Sequence, residues 1–273
     1  MTDTALLPMR NGEIRVHDAA GFEGMRKAGQ LVAACLDMLV GEVKPGITTA
    51  SLDRLISEFV QDNGALPATL HYRGYRHSSC ISLNHVICHG IPGEKTLKDG
   101  DILNIDVTLI LDGWHGDHSR MYTAGKPKRL AERLMDVTYE AMMAGIEAVK
   151  PGAHFGDIGG AITEIARKNR YSVVEDFCGH GLGQLFHDEP NVIHSAKAGT
   201  GPIMEPGMFF TIEPMLNIGK KDGAILSDGW TAVTRDRKLS AQFEHSVGVT
   251  ETGYEIFTKS PAGYDTPHRI TQA

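Results

Sequence analysis

Apolar residues recur at helical spacing from Gly21 to Val40, where Met25, Ala28, Leu31, Val32, Cys35, Leu36 and Leu39 share one side. Pro45-Gly46 breaks that run, and Thr48 or Thr49 can cap a second helix reaching about Asn63. From Leu66 to Asp117 the pattern shortens to that of strands and turns. Lys128 to Val149 reads as another long helix, Phe155 to Asn169 as a shorter one, and strands dominate again from Tyr171. The order is therefore helix, helix, strands, twice. Residues 1–20 form a lead-in. No Ser/Gly-rich linker separates the two runs, so they are predicted to share one sheet with helices on its outer face.

The two runs are related in sequence. Val43-Lys44-Pro45-Gly46 returns as Val149-Lys150-Pro151-Gly152, and the helices that follow match at Leu52/Ile158, Ile56/Ile162 and Phe59/Ile165. Further on, Lys98 to Asp106 parallels Glu205 to Glu213: a glycine (Gly100, Gly207) opens a run that closes on Ile-carboxylate. A period this long points to a duplicated half-domain, with halves at about 21–125 and 128–258, and not to a short solenoid repeat. Duplication sets Asp106 and Glu213 at equivalent places about a pseudo-twofold axis. Either they share a cation, because buried like charges need neutralising, or both are solvated acids at strand ends.

The first half adds a second acid. Asn104, Asp106 and Thr108 alternate with Ile105, Val107 and Leu109, and Asp112-Gly113 is a two-residue hairpin turn. That turn pairs Leu111 with Trp114, Thr108 with Asp117 and Asp106 with Ser119. Asp117 then lies diagonally from Asp106 on the same face, at roughly 7–8 Å between backbones. In the second half, alternation in Ser240 to Ser246 puts Gln242, Glu244 and Ser246 on one face, so Glu213 and Glu244 mirror Asp106 and Asp117. His180 sits in Cys178-Gly-His-Gly-Leu-Gly183, where flanking glycines let the backbone approach closely and leave its ring unobstructed; taken alone, such a residue is more often a loop His bonded to a carbonyl. One imidazole and four carboxylates suit two divalent transition ions bridged by acids.

Composition narrows the field. The 273 residues carry a net charge of −7, which argues against a broad nucleic-acid surface, and Lys126-Pro-Lys-Arg129 reads as a solvated connector. With 41% hydrophobic and 22% charged residues the chain is ordinary globular protein. No apolar run reaches a membrane span, and the first residues lack a signal-peptide core. Cys35, Cys80, Cys88 and Cys178 form no CxxC pair, so a thiolate zinc site is excluded and reduced thiols in a cytoplasmic protein are expected.

The motifs together resemble one family. Val86-Ile-Cys-His89-Gly-Ile-Pro, Asn104-Ile-Asp106-Val, His115-Gly-Asp117-His-Ser-Arg-Met, Cys178-Gly-His180-Gly-Leu-Gly, Phe186-His187-Asp-Glu-Pro, Thr211-Ile-Glu213-Pro-Met and Ala241-Gln-Phe-Glu244-His are similar to those of type I methionine aminopeptidases of the short bacterial form. The resemblance covers about residues 20–258. It implies an α+β pita-bread fold in a single catalytic domain, with duplicated halves sharing a curved antiparallel sheet. It implies that Asp106, Asp117, His180, Glu213 and Glu244 hold two divalent ions (Co, Mn, Fe, Zn or Ni), and that His89 and His187 contact the substrate. Tyr72, Tyr75, Cys80, Phe186 and Trp230 are the residues expected to shape an apolar methionine pocket; taken singly, each is equally a core residue.

The reaction implied is hydrolysis of the first peptide bond of a nascent chain by a water or hydroxide bridging the ions, with Glu213 receiving its proton, His187 stabilising the oxyanion and His89 holding the scissile nitrogen. Small second residues are expected to be accepted and large ones refused. The expected partners are the N-termini of nascent polypeptides near the ribosome exit, with no nucleic-acid role and no membrane, and the protein is expected to be a monomer. Thr69 stands where a cysteine is frequent, and Gln184 where a basic residue is common. The tail at 260–273 is expected to be peripheral. Two rivals remain: a proline-specific peptidase, which usually carries an additional N-terminal domain, and a catalytically dead binding module, which would have lost ligands.

Overall fold

The computed structural model describes residues 13–267; the remainder of the lead-in and of the tail lie outside them. Helix α1 spans Ala19–Met38, with Asp18 accepting from the Gly21 N–H at 3.0 Å as its cap. Helix α2 spans Thr49–Asp62, and Thr48, not Thr49, is the cap, accepting from Ser51 N–H at 3.1 Å. Helices α3 (Arg129–Glu147) and α4 (Phe155–Lys168) follow in the second half. At the start of α4, Asp157 reaches back to the His154 N–H at 2.9 Å.

The sequence repeat is a repeat of geometry. Thr48 bridges Thr96, and at the equivalent place His154 bridges Ile203. Gly46 N–H donates to Leu97 O at 2.9 Å, and Gly152 N–H to Met204 O at 3.0 Å. Gly100 and Gly207, which open the two acid-bearing runs, are both left-handed at φ 87° and 91°.

The strands Asp101–Leu111 and Trp114–Ala124 form the long hairpin, paired throughout in the predicted register: Leu111 with Trp114, Thr108 with Asp117, Asp106 with Ser119. Its turn residues Asp112 and Gly113 have φ 51° and 83°, as a type I′ turn requires. Cys80–Leu83 pairs along the other edge of the first strand, setting Cys80 opposite Asp106. In the second half His245–Val249 pairs with Phe209–Ile212, which in turn pairs with Gly179–Gly181.

The shared surface is not one continuous ladder. Among the described residues it is assembled from four hydrogen-bonded sheets. One reason is visible at Glu213: Pro214 follows it, and proline has no N–H to donate, so the strand Phe209–Ile212 ends there and Met215–Asn217 pairs with Ser240–Gln242 in a separate sheet. Ser119 bridges Glu244 across the halves, between the hairpin and the gap that separates Ser240–Gln242 from His245–Val249.

Each half has its own core. Val32, Leu36, Leu52, Ile56, Ile105 and Leu109 pack in the first, and Leu134, Ile158, Ile162, Phe210, Leu216 and Val247 in the second. Both press helices onto the backs of the strands, leaving the acid-bearing face free to form a cavity. Among the described residues no helix is long and apolar enough to cross a membrane, and all four cysteines are free.

Candidate active site

A cavity of about 790 Å³ opens on the face opposite the helices. All four carboxylates, His180, His89, His187, Tyr72, Tyr75, Cys80, Phe186 and Trp230 line it. The structure thus brings the candidate ligands and the candidate substrate contacts to one place. Asp117, His180 and Glu244 each offer an atom within 4.8 Å of the others.

Glycine makes that convergence possible. A Cβ on Gly179 would lie 2.3 Å from the Thr211 carbonyl oxygen, and one on Gly181 would lie 2.0 Å from that of Glu189. Only glycine lets the strand carrying His180 run this close to its neighbours. The ring is oriented from behind. Its Nδ1 lies 3.1 Å from the Gly181 carbonyl, an acceptor, so Nδ1 carries the proton. Nε2 is left bare, 3.5 Å from Asp117 and 3.6 Å from Glu213. Burial lowers the His180 pKa to about 4, so these contacts are those of a neutral imidazole and not charged pairs.

The acids are pushed the other way. Burial raises Asp106 to about 7. Asp117, Glu213 and Glu244 are raised well above the carboxylate range, chiefly by burial and then by one another. Two nearby hydroxyls each fix a carboxylate: Thr108 Oγ1 donates to Asp117 at 2.8 Å and Thr211 Oγ1 to Glu213 at 2.7 Å. Four mutually repelling acids beside one bare imidazole nitrogen fit a divalent transition ion, which would supply the missing positive charge.

The walls are aromatic. Tyr72 lies tilted against Phe186, with centroids 5.0 Å apart, and Tyr75 meets Trp230 edge-on at 5.0 Å. Tyr75 OH donates to Ser79 O at 2.9 Å. His89 sits in a left-handed conformation, φ 55°, edge-on to Phe177 at 5.3 Å. His187 lies against His180, with centroids 4.2 Å apart, and burial lowers its pKa and that of His89, so both are neutral donors or acceptors.

Several supporting residues escaped the sequence reading. Phe177, Cys88 and Met215 also line the cavity. Asp53 on α2 holds the turn after Tyr75, accepting from Ser78 N–H at 3.0 Å and Ser79 Oγ at 2.7 Å. His194 Nε2 accepts the Glu213 N–H at 3.1 Å. Gln242, which alternation places on the Glu244 face, reaches Glu213 through Nε2 at 3.3 Å. The Asp53 and His194 contacts join distant segments through backbone groups, so no local pattern announces them. The tail is not peripheral throughout: Ser260 and Ala262 bind Asp37 on α1.

A model described as metallopeptidase family M24 matches residues 23–251. The chain is 54% identical over 256 residues to a methionine aminopeptidase of Rickettsia prowazekii, covering 93% of this chain and 98% of that one. It is 48% identical over 247 residues to a methionine aminopeptidase of Escherichia coli, covering 90% and 94%. The crystal structure of methionine aminopeptidase from Rickettsia prowazekii superposes with a TM-score of 0.90 at 53% identity, over 90% of this chain and all (100%) of that one. Fold and site together define a metallopeptidase of the pita-bread architecture. The chain belongs to metallopeptidase family M24, among the short bacterial type I methionine aminopeptidases.

Proposed function

We propose that this protein removes the N-terminal methionine from polypeptides with a small second residue, using two divalent ions held by Asp106, Asp117, His180, Glu213 and Glu244. The observation that carries the reading is the meeting of those five side chains at an aromatic-walled cavity. Ions bound there would act as Lewis acids towards the scissile carbonyl and make water nucleophilic near neutral pH. Glu213, fixed by Thr211 and Gln242, is the base that takes the proton from the attacking water. His187, neutral and beside His180, donates to the developing oxyanion. His89 holds the scissile nitrogen and helps its protonation, the proton being the one that Glu213 removed from the water. Tyr72, Tyr75, Cys80, Phe186 and Trp230 take the methionine side chain, whose flexible thioether packs well on aromatic rings.

The ions are Co, Mn, Fe, Zn or Ni; the donor set of acids and one imidazole accepts each of them. The reading extends to a monomer working in the cytoplasm on chains emerging from the ribosome, and to residues 1–273 as a single catalytic domain with half-repeats at about 21–125 and 128–258.

A peptide panel tests specificity. Met-Ala-Ser should be cleaved and Met-Phe-Ser refused, because a bulky second side chain displaces the carbonyl, and a misplacement of about 1 Å can cost roughly a hundredfold. Trp230→Ala should relax the preference for methionine in the first position without loss of bound metal. Equal cleavage of the two peptides, or preference for Ala-Pro, contradicts the reading.

A further inference from the structure

Behind the acidic cluster lies a buried polar chain that takes no part in the reaction described above. Arg120, on the outgoing strand of the long hairpin, is fully buried, and its Nη1 donates to Asp37 Oδ1 on α1 at 2.6 Å. Its Nε and Nη2 both lie 3.3 Å from His118 Nε2. An arginine only donates, so that nitrogen must be bare and accept. The His118 proton therefore resides on Nδ1, and Nδ1 meets the backbone carbonyl of Glu244. The tautomer follows from both ends at once.

Glu244 needs such a hold. It falls between the strands Ser240–Gln242 and His245–Val249, outside either ladder. Its N–H donates to Ser119 O at 3.1 Å, and its carbonyl is met by His118. The hairpin thus grips both sides of the residue, and the nearby Ser246 Oγ donates to Asp117 O at 2.6 Å. His118 stacks on His245 at 4.6 Å, which fixes the ring plane. At the far end Asp37 accepts two contacts from Ser260 Oγ at 2.8 Å and one from Ala262 N–H at 3.1 Å, besides Arg120. Ser260 and Ala262 both belong to the segment after the last strand, so that segment and the hairpin meet on one carboxylate.

We propose that Asp37, Arg120 and His118 are positioning residues that set the Glu244 backbone opposite Ser119, two residues along the strand from Asp117, and that the C-terminal segment latches this relay through Ser260. The proposal rests on Glu244 being a metal ligand. Through the latch, the tail holds the ligand of one half in register with that of the other.

Calorimetric titration of the metal-free full chain with cobalt(II), together with imidazole-nitrogen NMR of the same protein, tests it. His118→Leu should bind cobalt(II) about 10–100-fold more weakly, the usual effect of losing a partner that orients a ligand. His118→Asn keeps a donor at the Nδ1 position and should restore most of that loss. Ser260→Ala, remote from the cavity, should weaken binding in the same direction by less. His118→Leu binding as tightly as the unaltered protein, or His118→Asn binding as weakly as His118→Leu, overturns the relay; unchanged binding by Ser260→Ala overturns the latch. Should His118→Leu fail to fold, the spectrum decides: Nδ1 protonated and Nε2 bare is expected, and an Nε2–H tautomer overturns the relay. Failure of the unaltered protein to bind cobalt(II) would instead remove the metal-site reading itself, and the relay with it.

Discussion

Glu213 carries two assignments, ligand and base, and its surroundings serve both. Thr211 orients one oxygen, Gln242 approaches the other, and His194 accepts the backbone N–H. Glu213→Gln keeps the shape and removes the charge, so the variant should fold and lose at least about a hundredfold in turnover; wild-type kcat on Met-Ala-Ser would refute both roles. The protonation pattern gives a second expectation. A carboxyl with raised folded pKa favours the protonated form in the folded state. Its stabilisation is present below the ordinary carboxylate range and is lost as pH rises; for Asp106 the loss extends to about pH 7. Metal must displace those protons. Titration near pH 6 in buffers of different ionisation heat should therefore show proton release, contributed by the acids and not by His180, which is already neutral with its pKa lowered to about 4. Metal uptake with no proton release would contradict the shifts.

At the scale of elements, the long hairpin was fully legible in the sequence because a two-residue turn leaves only one register, and Asp112-Gly113 names that turn. The four helices were legible from apolar spacing and caps to within a residue or two. What the sequence hid was the break-up of the sheet, because the pairing of short strands depends on which partner is nearest in space. The Gly-His-Gly strand was legible as a close approach, and its partners, Thr211 and Glu189, were not. Gly181→Ala places a Cβ against the Glu189 backbone, which cannot rotate away. It should cost about 1–3 kcal/mol of stability and also weaken metal binding. Gly156→Ala meets the Lys197 carbonyl oxygen at 2.3 Å, on α4 and not on a strand that carries a candidate ligand. Denaturation and metal titration of both variants should show a shared stability loss and a metal defect in Gly181→Ala alone. Equal metal affinity in the two would mean that the strand's closeness does not position His180.

Across the whole molecule, a large core lies under each half, a smaller cluster of Ile87, Cys88, Val174, Met215 and Ala232 joins the halves, and each half contributes two acids to one cavity. The duplication made Asp106 and Glu213 legible as a pair, and alternation brought in Asp117 and Glu244. The contacts that hold those acids in place were illegible, because Arg120–Asp37 and Ser260–Asp37 join residues 83 and 223 positions apart. Metal dependence of methionine removal follows from the convergence of the five candidate ligands on one cavity. It is tested most directly by stripping the protein with a chelator and titrating back cobalt(II), counting bound ions while following hydrolysis of Met-Ala-Ser. The expected result is no turnover in the stripped protein and recovery in step with ion uptake, saturating at two ions per chain or fewer. Full turnover in exhaustively demetallated protein would contradict the account.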